Sequence, residues 1–206
     1  TLARMARPNR PWEGFVSQGV PIGAVIVPVT PFQQNCSLVW CARSMKGAVV
    51  DPGGESERVI EVAGLRGVAI EKILVTHGHL DHAGAVADLA ARLGVPVEGP
   101  HEADTFWIDQ LAEQGGHYGM DHCRPFVSDR WLEDEDIVTV GEQELRVRHC
   151  PGHTPGHIVF HHEGAKLAWV GDVLFQGSVG RTDIPMGDHA TLVASIRDRL
   201  WPLGGD

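Results

Sequence analysis

Apolar positions in this chain recur with two periods, and the two alternate along its length. Ala24 to Val29 is a run of small and β-branched residues and reads as the first strand. Cys36 to Cys41 and Ala48 to Asp51 repeat that pattern, so a β-meander opens the domain. Asp51-Pro52-Gly53-Gly54 is a turn. Val59, Ile60 and Ala63 then fall on one helical face, which predicts a helix from about Ser56 to Leu65. Lys72 to Thr76 is a short β-type run of the kind buried in an α/β sheet. Val86, Leu89, Ala90 and Leu93 share the inward face of a helix expected from about His82 to Leu93, which Gly94 stops. Val95-Pro96-Val97 reads as a short strand and Glu102 to Leu111 as a helix. Phe106 and Trp107 on that helix read as core residues, with a place in a pocket wall as the other option.

Gly115 to Asp129 is loop-like. Strands start again at Ile137 to Val140, Leu145 to His149, His157 to His161 and Leu167 to Val170. Asp188 to Leu200 closes the chain as a helix, with Leu192, Ile196 and Leu200 inward. Strands bracketed by helices in both halves predict an α/β sandwich, two sheets face to face with helices outside. No short sequence repeat relates the halves, so that symmetry rests on element order. Residues 1–23 are rich in Pro, Gly and Arg and read as a loosely ordered leader, held by docking Trp12 or Phe15. The domain is expected over 24–206.

Composition narrows the function classes. A chain of 206 residues is long enough for one domain with a real core. Its net charge of −10, with 17 Lys and Arg against 27 Asp and Glu, argues against a nucleic-acid partner. No apolar run is long enough to span a membrane. Arg4, Arg7 and Arg10 have no apolar segment behind them, so no secretory signal is expected. Cys36, Cys41, Cys123 and Cys150 show no CxxC and no disulfide spacing, which places the protein in a reducing cytoplasm.

The chemistry concentrates in Thr76-His77-Gly78-His79-Leu80-Asp81-His82. Four metal-capable side chains fall between His77 and His82, a density no folding rule requires. His77 and His79 point the same way on an extended segment. Asp81 and His82 follow and aim at a second point nearby. Gly78 lets the backbone turn tightly. Imidazoles with a carboxylate suit zinc or iron better than calcium or magnesium. The stretch follows the strand Ile73-Leu74-Val75, at the carboxyl end where open α/β sheets place their sites. A lone HxH is usually a surface loop; the whole run is not.

Two later stretches join it. Pro151-Gly152-His153-Thr154-Pro155-Gly156-His157 fixes a turn that presents His153, while His157 begins a strand and reads as packing or support. Asp172, in Gly171-Asp172-Val173, sits at a strand end, where a buried carboxylate is costly unless paired or metal-bound. It suits a bridge between two cations. Arg181 and Asp183 form either a structural ion pair or a substrate contact. His101, His117, His122, His161 and His162 have no ligand spacing and read as surface or packing residues.

Taken together, THGHLDH, PGHTPGH, GDVLF, GRTD and VVDPGG resemble the metallo-β-lactamase fold superfamily, and within it the glyoxalase II-like hydrolases. The resemblance runs from about Ala24 to the end. It is similar to the short bacterial type, which lacks the helical domain that holds glutathione. It implies an αββα sandwich with two mixed sheets and helices on the outer faces. It implies two metal sites, of zinc, with iron or manganese also accepted. His77, His79 and His153 would hold the first ion, Asp81 and His82 the second, and Asp172 would bridge. Asp51 would support the site loop. The family adds one more histidine from a PGHGP-like loop near its C-terminus; this chain stops at Leu203-Gly204-Gly205-Asp206, before that loop, and His189 sits in a different motif. The domain is therefore expected to lack its C-terminal end and to fill the second site weakly.

The implied activity is hydrolysis of a small-molecule thioester such as S-lactoylglutathione by metal-activated water, with Asp81 and Asp172 as catalytic residues. Few basic residues are available to grip glutathione carboxylates. A rival of the same fold is a persulfide dioxygenase using one iron on His77, His153 and Asp172. Against it, Asp81 and His82 are placed for a second ion, and Ser178 and His157 stand where cysteines are expected. A β-lactamase expects a secretion signal, and a flavodiiron-type oxidase expects Glu at position 79. A metal-stabilised binding module without catalysis predicts a closed coordination shell.

Overall fold

A computed structural model describes residues 15, 16, 19 and 21–204. Trp12 and the Phe15 side chain, expected to dock the leader, lie outside the described residues. Phe15–Val16 (β1) pairs antiparallel with Ile22–Val29 (β2), so strand structure begins ahead of the expected boundary at 24. Gln34–Cys41 (β3) and Lys46–Val50 (β4) complete the meander. Ser56–Arg66 (α1) crosses over to Ala69–Leu74 (β5), which lies parallel to β4.

The helix expected over 82–93 is two helices, Leu80–Ala83 (α2) and Val86–Leu93 (α3). The apolar face is continuous, but the backbone is not. Ala85 N–H leaves the helical ladder and donates to Pro52 O in the neighbouring turn, at 2.9 Å. Val97–Glu98 (β6) adds a second parallel strand to the sheet. A 3₁₀ turn at Glu102–Asp104 leads into Thr105–Asp109 (α4) and then Leu111–His117 (α5). The expected loop over 115–129 therefore starts as helix; Gly115-Gly116 disguised that turn, since glycine is a poor helix former.

Ile137–Val140 (β7), Gln143–His149 (β8), Ile158–His162 (β9) and Leu167–Trp169 (β10) form the second sheet in the order β10-β9-β8-β7. A small hairpin, Leu174–Phe175 (β11) with Ser178–Val179 (β12), was not anticipated. His189–Ser195 (α6) is capped by the Asp188 carboxylate, which accepts from Thr191 N–H at 2.7 Å. It runs on as a π turn over Ile196–Leu200, where a single α-helix was expected.

The first sheet, ordered β1-β2-β3-β4-β5-β6, is mixed; every described pairing in the second is antiparallel. Strand alternation builds the layers. Val25, Val27 and Val29 of β2 face helices α1 and α3. Ile22 and Ala24 of the same strand face the second sheet, packing with Val138, Leu145 and Phe160. On the far side Val159 packs with Leu192, Ile196 and Leu200. Three apolar layers separate four structural ones, which is the αββα sandwich. Burial on this scale supplies the main favourable term for folding.

Candidate metal centre

Strand ends deliver the site. The loop after β5 carries His77 and His79 and runs into α2, which carries Asp81 and His82; the loop between β8 and β9 carries His153, and the turn after β10 carries Asp172. All reach one rim of the sandwich, where His77, His82 and His153 are buried and Asp172 is a quarter exposed.

Hydrogen bonds fix which imidazole nitrogens are bare. The Thr76 hydroxyl donates to Asp51 Oδ2 at 2.7 Å, so that hydroxyl oxygen accepts from His77 Nδ1–H at 3.0 Å. His153 Nδ1–H donates to the Arg181 carbonyl at 2.7 Å. Both rings thus turn an unprotonated Nε2 inward. His77 Nε2 lies 3.1 Å and His153 Nε2 2.8 Å from His79 Nδ1. Burial, reinforced by the mutual crowding of these rings, pushes the His77 and His79 pKa well below the usual value, and burial lowers that of His153. Neutral imidazoles with lone pairs converging on one point are the donor set a cation completes.

A second group, His77, His82 and Asp172, adjoins the first. Asp172 Oδ1 lies 3.1 Å from His82 Nε2, and Oδ2 lies 3.5 Å from His153 Nε2. Each carboxylate oxygen thus faces a different group. Asp81 Oδ2 stands further off, 3.7 Å from His82 Nε2. Burial opposes a charged His82, but hydrogen bonds to Asp172 and Asp51 overcome it and raise its pKa well above the usual value. Burial likewise works to raise the Asp172 pKa, and the His82 contact reverses that, holding the carboxyl far below the carboxylate range. A position that attracts a proton this strongly suits a cation. The donor sets fit the expected metals.

His157 stacks on His77, ring centres 4.5 Å apart, and its Nε2 accepts the Asp172 backbone N–H at 3.0 Å. Its role is support, and its Nδ1 is a buried polar atom without a partner among the described residues. Arg181 and Asp183 form an exposed two-pronged ion pair, while the Arg181 carbonyl orients His153. The structure brings all six expected metal residues to one rim. His101 and His162, expected in surface or packing roles, stack on His149 and bond Gln143 respectively. Trp107 is buried with its ring edge-on to His79 at 4.4 Å, whereas Phe106 is exposed. The sequence reading missed Asp104, a fully buried carboxylate behind the two histidine loops. Its position at a helix start gave no signal of this.

A cavity of about 480 Å³ opens against His82 and Asp172. The amides of Gln33, Gln34, Asn35 and Gln176 line it, and among the described residues no Lys or Arg does. Among the described residues no helix is long and apolar enough to cross a membrane.

Known proteins resemble this chain in sequence and in fold. The chain is 46% identical over 182 residues to hydroxyacylglutathione hydrolase GloC of Haemophilus influenzae, covering 88% of this chain and 85% of that one. Its fold is similar to the crystal structure of the BLEG-1 B3 metallo-beta-lactamase, with TM-score 0.79, 31% identity and coverage of 88% and 87% of the two chains. It is also similar to TTHA1623 in a di-iron-bound form, with TM-score 0.74, 34% identity and 84% of each chain covered. Residues 29–203 match the model of the metallo-beta-lactamase superfamily. With the αββα layers, the histidine loops on one rim and a match over most of its length, the chain belongs to the metallo-beta-lactamase superfamily.

Proposed function

We propose that this chain, a glyoxalase II-like metallohydrolase by its relatives, cleaves a small-molecule thioester such as S-lactoylglutathione. The observation that carries the reading is the convergence of His77 Nε2, His79 Nδ1 and His153 Nε2, with Asp172 reaching from that group to His82. His77, His79 and His153 would hold one cation, Asp81 and His82 would hold a second, and Asp172 would serve both. Zinc suits these ligands, and iron or manganese are also accepted. When bound, the metal polarises a carbonyl and makes water acidic enough to act as a nucleophile near neutral pH. Asp81 and Asp172 orient the attacking water at the thioester carbonyl, which enters from the cavity beside His82. The water oxygen forms the new C–O bond, the C–S bond breaks, and the proton the water gives up leaves with the thiol.

The hydrolase relative at 46% identity supports this reaction class. An open cavity beside Asp81, His82 and Asp172 argues against the closed shell of a purely structural metal site. One observation favours the persulfide dioxygenase reading: Asp172 Oδ2 is near His153, so a one-iron set of His77, His153 and Asp172 is available. The engagement of Asp172 Oδ1 with His82 favours two ions. The four cysteines are free and buried, which supports placement in a reducing cytoplasm.

Metal analysis of freshly purified protein, paired with an S-lactoylglutathione assay, tests the proposal. Bound metal with hydrolysis that a chelator abolishes is the expected result. Oxygen uptake with glutathione persulfide, without thioester hydrolysis, would overturn it.

A further inference from the structure

Asp104 sits behind the site rather than in it. It ends the 3₁₀ turn after β6, has no exposed surface, and no Lys or Arg pairs with it among the described residues. Burying an unpaired carboxylate is costly, so hydrogen bonds must hold it there. Three do. Oδ2 accepts Gly78 N–H and the Thr154 hydroxyl, each at 2.8 Å, and Oδ1 accepts Gly156 N–H at 2.6 Å.

These donors come from both histidine loops. Gly78 lies between His77 and His79, in the loop from the first sheet. Thr154 and Gly156 follow His153, in the loop from the second sheet. One carboxylate therefore ties together two loops that are also joined at their base by Ile158 N–H donating to the Thr76 carbonyl at 2.9 Å.

The fit around it is close. A Cβ on Gly78 would meet Trp107 Cβ at 2.8 Å and the Asp104 carbonyl at 3.1 Å. A Cβ on Gly156 would meet Asp104 N at 2.6 Å and its Oδ1 at 2.7 Å. Both loops are pressed onto the same turn, and the bare glycine backbone is what permits it. Trp107, three residues on, then braces the His79 ring from outside. Gly78, expected to serve a tight turn, instead serves this close approach.

We propose that Asp104 is a positioning residue of the metal centre: its carboxylate clamps the His77–His79 loop to the His153 loop and so sets the three-histidine geometry. The inference rests on the reading of His77, His79 and His153 as ligands. A carboxylate is required because only it offers two acceptor oxygens to donors on both sides. Asparagine offers one, and its NH₂ would face a backbone N–H.

The test compares zinc affinity of the full chain and of Asp104→Asn and Thr154→Val, by competition with a chromophoric chelator. Circular dichroism confirms that each variant is folded. Thr154→Val removes one of the three bonds at nearly constant volume, so it keeps the test open if Asp104→Asn does not fold. Asp104→Asn should weaken zinc binding by about 10- to 100-fold, the usual loss when a ligand's outer partner is removed. Thr154→Val should weaken it by a smaller factor. The visible spectrum of the cobalt-substituted protein should change in both, since the ligand field follows histidine geometry. Folded variants with wild-type zinc affinity and cobalt spectrum would overturn the clamp while leaving the ligand assignment intact. A wild-type chain that binds no zinc would overturn both.

Discussion

Thr76 donates twice to Asp51: its backbone N–H to Oδ1 and its hydroxyl to Oδ2, each at 2.7 Å. The same Oδ2 accepts His82 Nδ1–H at 3.0 Å. Because the Thr76 hydroxyl is thereby oriented to accept from His77 Nδ1–H, one carboxylate selects the bare nitrogen of two histidines, His77 of both donor groups and His82 of the second. Asp51 holds this pose at φ 55°, in the left-handed region that aspartate tolerates better than most residues.

Asp51→Ala should therefore weaken both cation sites, by about 10- to 100-fold in affinity. Thr76→Val should weaken the three-histidine site more than the His82 site, since it cuts only the relay to His77. Zinc titration of metal-free protein, followed by calorimetry, checks the split. Equal losses at both sites in Thr76→Val would show that the relay does not set the His77 tautomer.

Asp172→Ala should lower thioester hydrolysis by several orders of magnitude, because the residue faces both groups and loosens both ions at once. Steady-state rates on S-lactoylglutathione at saturating zinc are the measurement. A variant near the wild-type rate would rule out the bridging role.

The site was legible in the sequence where ligand-type residues are packed more densely than folding requires. His77, His79, Asp81 and His82 fall within six positions, across the loop after β5 and the start of α2, and His153 and Asp172 lie in the loops that follow β8 and β10. The layers were legible too, because β2 to β4 alternate cleanly between helix-facing and sheet-facing residues. What stayed hidden depends on contacts distant in sequence. Asp104 is bound by donors 26, 50 and 52 residues away, none of which marks it as special. The break between α2 and α3 comes from Pro52 O capturing the Ala85 amide, which leaves the apolar pattern untouched. The β11–β12 hairpin, with two residues per strand, has no room for a period.

Substrate choice should reflect the cavity. Its amide lining can bond peptide groups, but no cation among the described residues meets a carboxylate there. Arg181, near the rim, is already paired with Asp183. The specificity constant for S-lactoylglutathione should lie within about tenfold, or 1.4 kcal/mol, of that for an uncharged thioester of similar size. A preference of a thousandfold for the glutathione ester would show that charge recognition comes from elsewhere.

The last prediction turns on the acidity of Asp104. A free aspartate titrates near 3.9. Burial raises Asp104 to about 6, against the pull of its three hydrogen bonds. The folded state thus holds this proton more tightly than the unfolded chain does. Its contribution to stability is fully present below about pH 3.9 and is lost as pH rises through about 6. The amide side chain in the variant Asp104→Asn has no proton to lose. Whatever the substitution costs in lost hydrogen bonds, the stability difference should move toward the variant between about pH 4 and pH 7, by about 3 kcal/mol. Urea unfolding of both metal-free proteins across that range gives the difference directly, and metal must be absent because its binding carries a pH dependence of its own. A flat difference, or one moving toward the wild type, would show that the Asp104 carboxyl ionises at least as readily in the fold as in the unfolded chain.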